Sequence, residues 1–237
     1  MTKTTDEIGF VFIHGAGLTP SIWSGVIAGL DNPCLLLEHP PERRGLTLND
    51  YVAHMKLQVD AWDIERVVLV AHSLGGVLAL KLAEALGSRV VGFAAVGAVI
   101  PSRGGSFLST LPLAKRLLMG ALLRLIGTKP PEPAIRQGLC HDLTQAQTDD
   151  VVRAFVPESI RVYTDRTDAP LPAVPKLYVQ LSQDREMNTG QQAQMRDALD
   201  ARFTEVLDSG HLPMLSRPDE LRGVLDKFMA SVEGHVV

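Results

Sequence analysis

Short runs of nearly unbroken apolar residues recur along the chain, at 9–13, 34–37, 66–71, 90–100, 176–181 and 203–207. Each is rich in Val, Ile or Leu, and continuous apolarity rather than alternation is what strands covered on both faces require. Between these runs, apolar positions recur with helical spacing over 48–62, 75–86 and 218–232. The first of these stretches follows Thr47, an N-cap residue with Asp50 in the capping-box position. Strand and helix in alternation demand crossover connections. The pattern therefore predicts an α/β fold, a mostly parallel sheet of about six strands flanked by helices.

The alternation fails between 101 and 175. Helical patterns appear there at 108–126, 133–139 and 144–155, with prolines at 130, 131, 133, 157, 170, 172 and 175 and no strand. A structureless loop of that length does not suit a compact domain, so the segment is expected to be a helical cap inserted in a core domain made of 1–100 and 176–237. Its leucine-rich stretch, with Leu108, Leu111, Leu113, Leu117, Leu118, Met119, Leu122, Leu123 and Leu125, predicts an apolar roof over a pocket. Pro112, Lys115, Arg116, Gly120 and Arg124 interrupt the stretch too often for a membrane span. The polar residues 1–7 carry no apolar core of a signal peptide. A soluble, cytoplasmic protein is expected.

Composition narrows the function. Of 237 residues, 46% are hydrophobic, ample for a core. The balance of 23 basic against 27 acidic side chains, a net charge of -4, argues against a nucleic-acid partner. Cys34 and Cys140 are the only cysteines and lie far apart, which excludes a disulfide framework and a thiolate zinc site. No metal or other cofactor is expected.

The third strand runs into Ala71-His72-Ser73-Leu74-Gly75-Gly76 and then a helix. A serine at the apex of a sharp strand-to-helix turn needs small residues two before and two after it, and Ala71 and Gly75 meet that need. This is an A-x-S-x-G form of the G-x-S-x-G nucleophile elbow. The Leu74 N–H, at the start of the helix, can face a developing oxyanion. The first strand ends in His14-Gly15-Ala16-Gly17, where Ala16 offers a second N–H and the glycines allow close approach. A hydroxyl needs a base. His211 lies on the loop after the last strand, on the same edge of the sheet as the serine turn. His72 is expected to point away from Ser73, His14 to be structural, and His39, His54, His141 and His235 to be packed or solvated. The base needs an acid. Asp184 follows the fifth strand, with Glu186 as the fallback, and Asp208 reads as a turn residue. Ser, Asp, His is the chain order of α/β-hydrolases.

Taken together, these residues resemble the α/β-hydrolase superfamily across essentially the whole chain. Within it, His14-Gly15-Ala16, the Ser73 turn, the run around Asp184 and the run from His211 to Pro218 look like the plant methylesterase and hydroxynitrile lyase group, as do bacterial carboxylesterases of similar layout. The resemblance implies Ser73 as nucleophile, His211 as base, Asp184 as acid, and Ala16 and Leu74 as oxyanion donors. It implies a serine hydrolase cleaving small to medium apolar carboxylic esters through an acyl-enzyme. Two alternatives are a hydroxynitrile lyase-type reaction on the same triad and a non-catalytic small-ligand receptor. The lyases of this group carry a lysine immediately after the catalytic histidine, and Leu212 stands there in this chain.

Overall fold

A computed structural model describes residues 4–236. Six strands form one parallel sheet: β1 (Thr4–Ile13), β2 (Cys34–Leu36), β3 (Ile64–His72), β4 (Val90–Val96), β5 (Lys176–Leu181) and β6 (Phe203–Leu207), in the order β2-β1-β3-β4-β5-β6. Ten helices accompany them among the described residues: α1 (Ser24–Ile27), α2 (Leu48–Asp60), α3 (Gly75–Leu86), α4 (Leu113–Leu125), α5 (Glu132–Gly138), α6 (Gln145–Ala154), α7 (Arg161–Thr164), α8 (Thr189–Leu199), α9 (Pro213–Ser216) and α10 (Pro218–Val236). The sheet divides the core in two. Val11, Leu69, Phe93 and Tyr178 pack with α2 and α3 on one face, and Phe10, Phe12, Val68 and Val179 pack with α10 on the other. Residues of both parities along β1 and β3 are therefore buried, which is why those strands read as continuous apolar runs.

The chain order reverses between β1 and β3. Ligands of open parallel sheets bind in the crevice at such a switch point, outside the carboxyl ends of the strands. The two loops singled out in the sequence, after β1 and after β3, both open there.

Several boundaries move for physical reasons. The strand expected over 90–100 stops at Val96, because Gly97 takes φ +48 and a Cβ there would meet the Leu181 side chain at 2.7 Å. The helix expected over 108–126 is divided: a 3-10 turn, Phe107–Thr110, is separated from α4 by Pro112, whose ring and missing N–H prevent a continuous helix. Helix α8 was not delimited by the apolar pattern, yet it begins with a full capping box between Asn188 and Gln191. Both cysteines are free, and burial raises both thiols to about 11, so they stay protonated at neutral pH. No helix among the described residues is long and apolar enough to cross a membrane.

Candidate active site

Strand β3 and helix α3 hold Ser73 in a left-handed conformation, φ +52, which costs a non-glycine residue about 1–2 kcal/mol. The turn is fixed by its surroundings. The Ser73 carbonyl accepts from Gly76 N–H at 3.1 Å and Val99 N–H at 2.9 Å. A Cβ on Gly75 would lie 2.8 Å from the Ile13 carbonyl, and one on Gly76 would lie 2.5 Å from the Val99 carbonyl. The small residues after the serine are thus required by backbone-to-backbone packing, as the sequence pattern implies.

His211 reaches Ser73 from the loop after β6. Its Nε2 lies 3.1 Å from Ser73 Oγ, and its Nδ1 lies 2.8 Å from Asp184 Oδ2. A carboxylate only accepts, so Nδ1–H donates to Asp184 and Nε2 is left to accept from the serine hydroxyl. Asp184 is aimed by its own turn, its Oδ1 accepting from Glu186 N–H at 2.7 Å and Met187 N–H at 3.1 Å. Burial alone would pull the His211 pKa down, but the adjacent Asp184 carboxylate outweighs it and holds the imidazole above its ordinary value. Burial would likewise raise the Asp184 carboxyl, and the His211 charge and hydrogen bond instead hold it below the usual range. Glu186 makes no side-chain hydrogen bond to this arrangement; it gives its backbone N–H to Asp184, and its carboxylate adds a smaller upward pull on His211. Asp208 binds Ser182 and Gln183 in an exposed turn.

His72 donates Nε2–H to the His211 carbonyl at 2.8 Å and meets Trp23 edge-on. It fixes the backbone of the His211 loop. His14 donates Nδ1–H to the Gly15 carbonyl at 2.9 Å. Burial first, then neighbouring positive groups, lowers both, His72 to about 3 and His14 well below its usual value. An unfolded chain protonates these histidines near pH 6.5, while the folded one does not. Stability is therefore expected to fall as pH drops from about 6.5 towards about 3. The raised pKa of His211 acts in the opposite sense, but only above 6.5, so it does not cancel this loss. Urea midpoints at pH 7 and pH 5 would check it. A midpoint no lower at pH 5 would contradict the buried, neutral state of both rings.

The loop after β1 lies directly against the serine turn: a Cβ on Gly15 would sit 2.9 Å from Ser73 Cβ. Among the described residues the backbone N–H groups of Ala16 and Leu74 donate to no protein acceptor, and both residues line the cavity that Ser73 and His211 face. What holds this loop is a cluster that sequence reasoning did not find. Glu158, fully buried, accepts from Gly17 N–H at 3.2 Å, His39 Nδ1–H at 3.1 Å, Arg43 Nη1–H at 2.7 Å and the Tyr51 hydroxyl at 2.8 Å. Burial would raise this carboxyl, but the donors, His39 foremost, outweigh it and keep it ionised. The Gly17 carbonyl accepts from Val156 N–H at 3.0 Å. The Phe155 ring fills the space a Cβ on Gly17 would need, and φ +75 at Gly17 suits glycine alone. His39 also stacks on His14, ring centroids 3.9 Å apart.

The cavity has a volume of about 430 Å³, within the range of small-molecule sites. Its wall is mostly apolar, with Leu18, Leu74, Val99, Phe107, Leu123 and Ile135 among the lining side chains. Glu186 also lines it, and no lysine or arginine does among the described residues. The leucines of 108–126 do not all face it. Leu111, Met119, Leu122 and Leu123 do; Leu113, Leu117, Leu118 and Leu125 are exposed on the other side of α4. Helical spacing could not separate these sets, because leucine occupies both faces. Among the described residues no group of three or more His, Cys, Asp or Glu side chains could hold a metal ion.

A parallel sheet with its switch point at a serine-bearing strand-to-helix turn defines an α/β hydrolase. Residues 10–224 match the alpha/beta hydrolase family, and the chain belongs to it. It is similar in structure to an extracellular alpha/beta-hydrolase from a Paenibacillus species, described as sharing structural and functional homology with tobacco salicylic acid binding protein 2 (TM-score 0.84, 18% identity, 93% of this chain and 98% of that one). It is also similar to a methylesterase from Arabidopsis (TM-score 0.75, 18% identity, 94% and 99%) and to a pyrethroid hydrolase from Sphingobium faniae (TM-score 0.73, 18% identity, 93% and 97%). No curated protein matches the chain by sequence.

Proposed function

We propose that this chain hydrolyses carboxylic esters of small to medium apolar substrates through an acyl-enzyme on Ser73. The observation that carries this reading is the hydrogen-bonded run from Ser73 through His211 to Asp184, opening on an apolar cavity. Ser73 Oγ attacks the ester carbonyl carbon as His211 Nε2 takes its proton, and the tetrahedral oxyanion accepts from the Ala16 and Leu74 N–H groups. His211 then returns the proton to the departing alkoxide. A water, deprotonated by the same nitrogen, attacks the acyl-enzyme and releases acid and free serine. Asp184 keeps the imidazole in the tautomer this requires. Glu158 acts at one remove, by holding the turn that carries Ala16. Segment 101–175 serves as the cap, contributing Leu111, Met119, Leu122 and Leu123 to the roof.

A series of p-nitrophenyl esters of rising acyl length tests the reading, with mandelonitrile as the contrasting substrate. Turnover of the esters and negligible release of cyanide are expected. A departing cyanide anion gains from a fixed positive charge, yet Leu212 is apolar and buried, Lys227 is exposed on α10, and the cavity wall carries neither lysine nor arginine. Cyanide release that disappears in Ser73→Ala would move the reaction to the lyase class. No turnover of any ester would leave a binding protein.

A further inference from the structure

We propose that the outward face of α4 is a docking surface for an anionic lipid interface. Positions 114, 117, 118, 121 and 125 share one side of this helix by their spacing. The residues there are Ala, Leu, Leu, Ala and Leu, all exposed, with Leu117 at 66%, Leu118 at 63% and Leu125 at 82%. The opposite side packs inward through Leu123, and Gly120 rides over Leu108. The helix is thus apolar on the face towards water as well as on the face towards the cavity, where an ordinary surface helix would be polar outside. Isolated exposed leucines are common, but a continuous face of them marks a surface that something covers.

Charge selects the occupant. Residues 101–131 hold five cations, Arg103, Lys115, Arg116, Arg124 and Lys129, and no aspartate or glutamate, in a chain whose net charge is -4. Lys115 and Arg124 flank the leucine face, are exposed, and form no ion pair among the described residues. A second copy is disfavoured as the cover, since a two-fold contact sets the patch against itself and brings like charges together with no carboxylate to relieve them. An anionic lipid surface answers both features, taking the leucines into its acyl boundary and the cations at its headgroups. The same helix presents Met119, Leu122 and Leu123 to the cavity, so docking would set the cavity roof beside a phase in which apolar esters concentrate. That last consequence rests on the esterase reading; the docking itself does not.

Flotation of the purified chain with phosphatidylcholine vesicles, with and without about one-third phosphatidylglycerol, is the test. Binding to the anionic vesicles is expected, weakening as salt rises towards about 1 M, where charges are screened within about 3 Å. The triple variant Leu117→Gln, Leu118→Gln, Leu125→Gln should bind at least about tenfold less. Lys115→Gln with Arg124→Gln should lose the preference for anionic lipid. Both variants should keep wild-type hydrolysis of soluble p-nitrophenyl acetate, since none of these side chains lines the cavity. Wild-type indifference to anionic vesicles would overturn the proposal, as would equal binding by the triple variant. A leucine-dependent dimer by sedimentation equilibrium, without vesicle binding, would give the face to a second copy. Binding to polyglutamate alone would give it to an acidic protein. Vesicle binding as expected, with no ester turned over, would sink the esterase reading and leave the surface standing.

Discussion

Ser73→Ala is expected to lower kcat for ester hydrolysis by about 10⁵- to 10⁶-fold, because nucleophile, base and acid act as a unit and loss of one removes the covalent route. Stability should change little. The hydroxyl's hydrogen bond is to His211, 3.1 Å away, and the backbone bonds that hold the turn belong to the Ser73 carbonyl and N–H. A fluorophosphonate should label the wild-type chain at Ser73 and leave the variant unlabelled. Activity within tenfold of wild type, or labelling of another serine, would remove Ser73 from the role assigned to it.

The second large effect belongs to the acid. Asp184→Asn is expected to cost about 10⁴-fold in kcat, since an amide can donate to Nδ1 and so favours the tautomer with its proton on Nε2, where the serine must be deprotonated. It should also move the pH profile. His211 acts as a base only when neutral, so activity falls as pH drops through its folded pKa, which Asp184 holds above 6.5. With the carboxylate gone, the largest opposition to burial is lost and only the weaker pull of Glu186 and Asp142 remains, so the acid limb of the residual activity should shift to lower pH. Glu186→Gln should change the rate by no more than about threefold, because glutamine keeps the backbone N–H that aims Asp184 and only the smaller through-space pull of the carboxylate on His211 is lost. Equal sensitivity at 184 and 186, or an unmoved limb in the Asn variant, would place the acid elsewhere.

How much of this was legible in the sequence depends on how far apart the partners lie. The turn around Ser73 was readable because its demands are local: Gly75 and Gly76 follow the serine directly, and any side chain there would strike neighbouring backbone. His211 and Asp184 were readable at one remove, since each ends a strand and a parallel sheet brings strand ends to one edge. Glu158 was not. Its donors Gly17, His39, Arg43 and Tyr51 come from 107 to 141 residues away, and a glutamate between Pro157 and Ser159 has the look of a solvated loop residue. Its one sequence trace is the set of polar, aromatic and basic residues at 39, 43 and 51, which no short motif connects to it. The sidedness of α4 was hidden for a different reason: a helix with leucine all round has no period that tells inside from outside.

The Glu158 cluster also bears on how such an enzyme can diverge. Insertions between the fourth and fifth strands are the obvious place to vary substrate range without disturbing the sheet. In this chain, however, the far limb of the insertion, Phe155 to Glu158, grips Gly17 by its N–H, its carbonyl and the space beside its Cα. Recognition and chemistry are therefore not separable modules. A transplanted insertion would have to bring its own buried carboxylate at the position of Glu158, or, on the proposed mechanism, the recipient would keep its serine turn and lose the frame that holds the loop carrying Ala16.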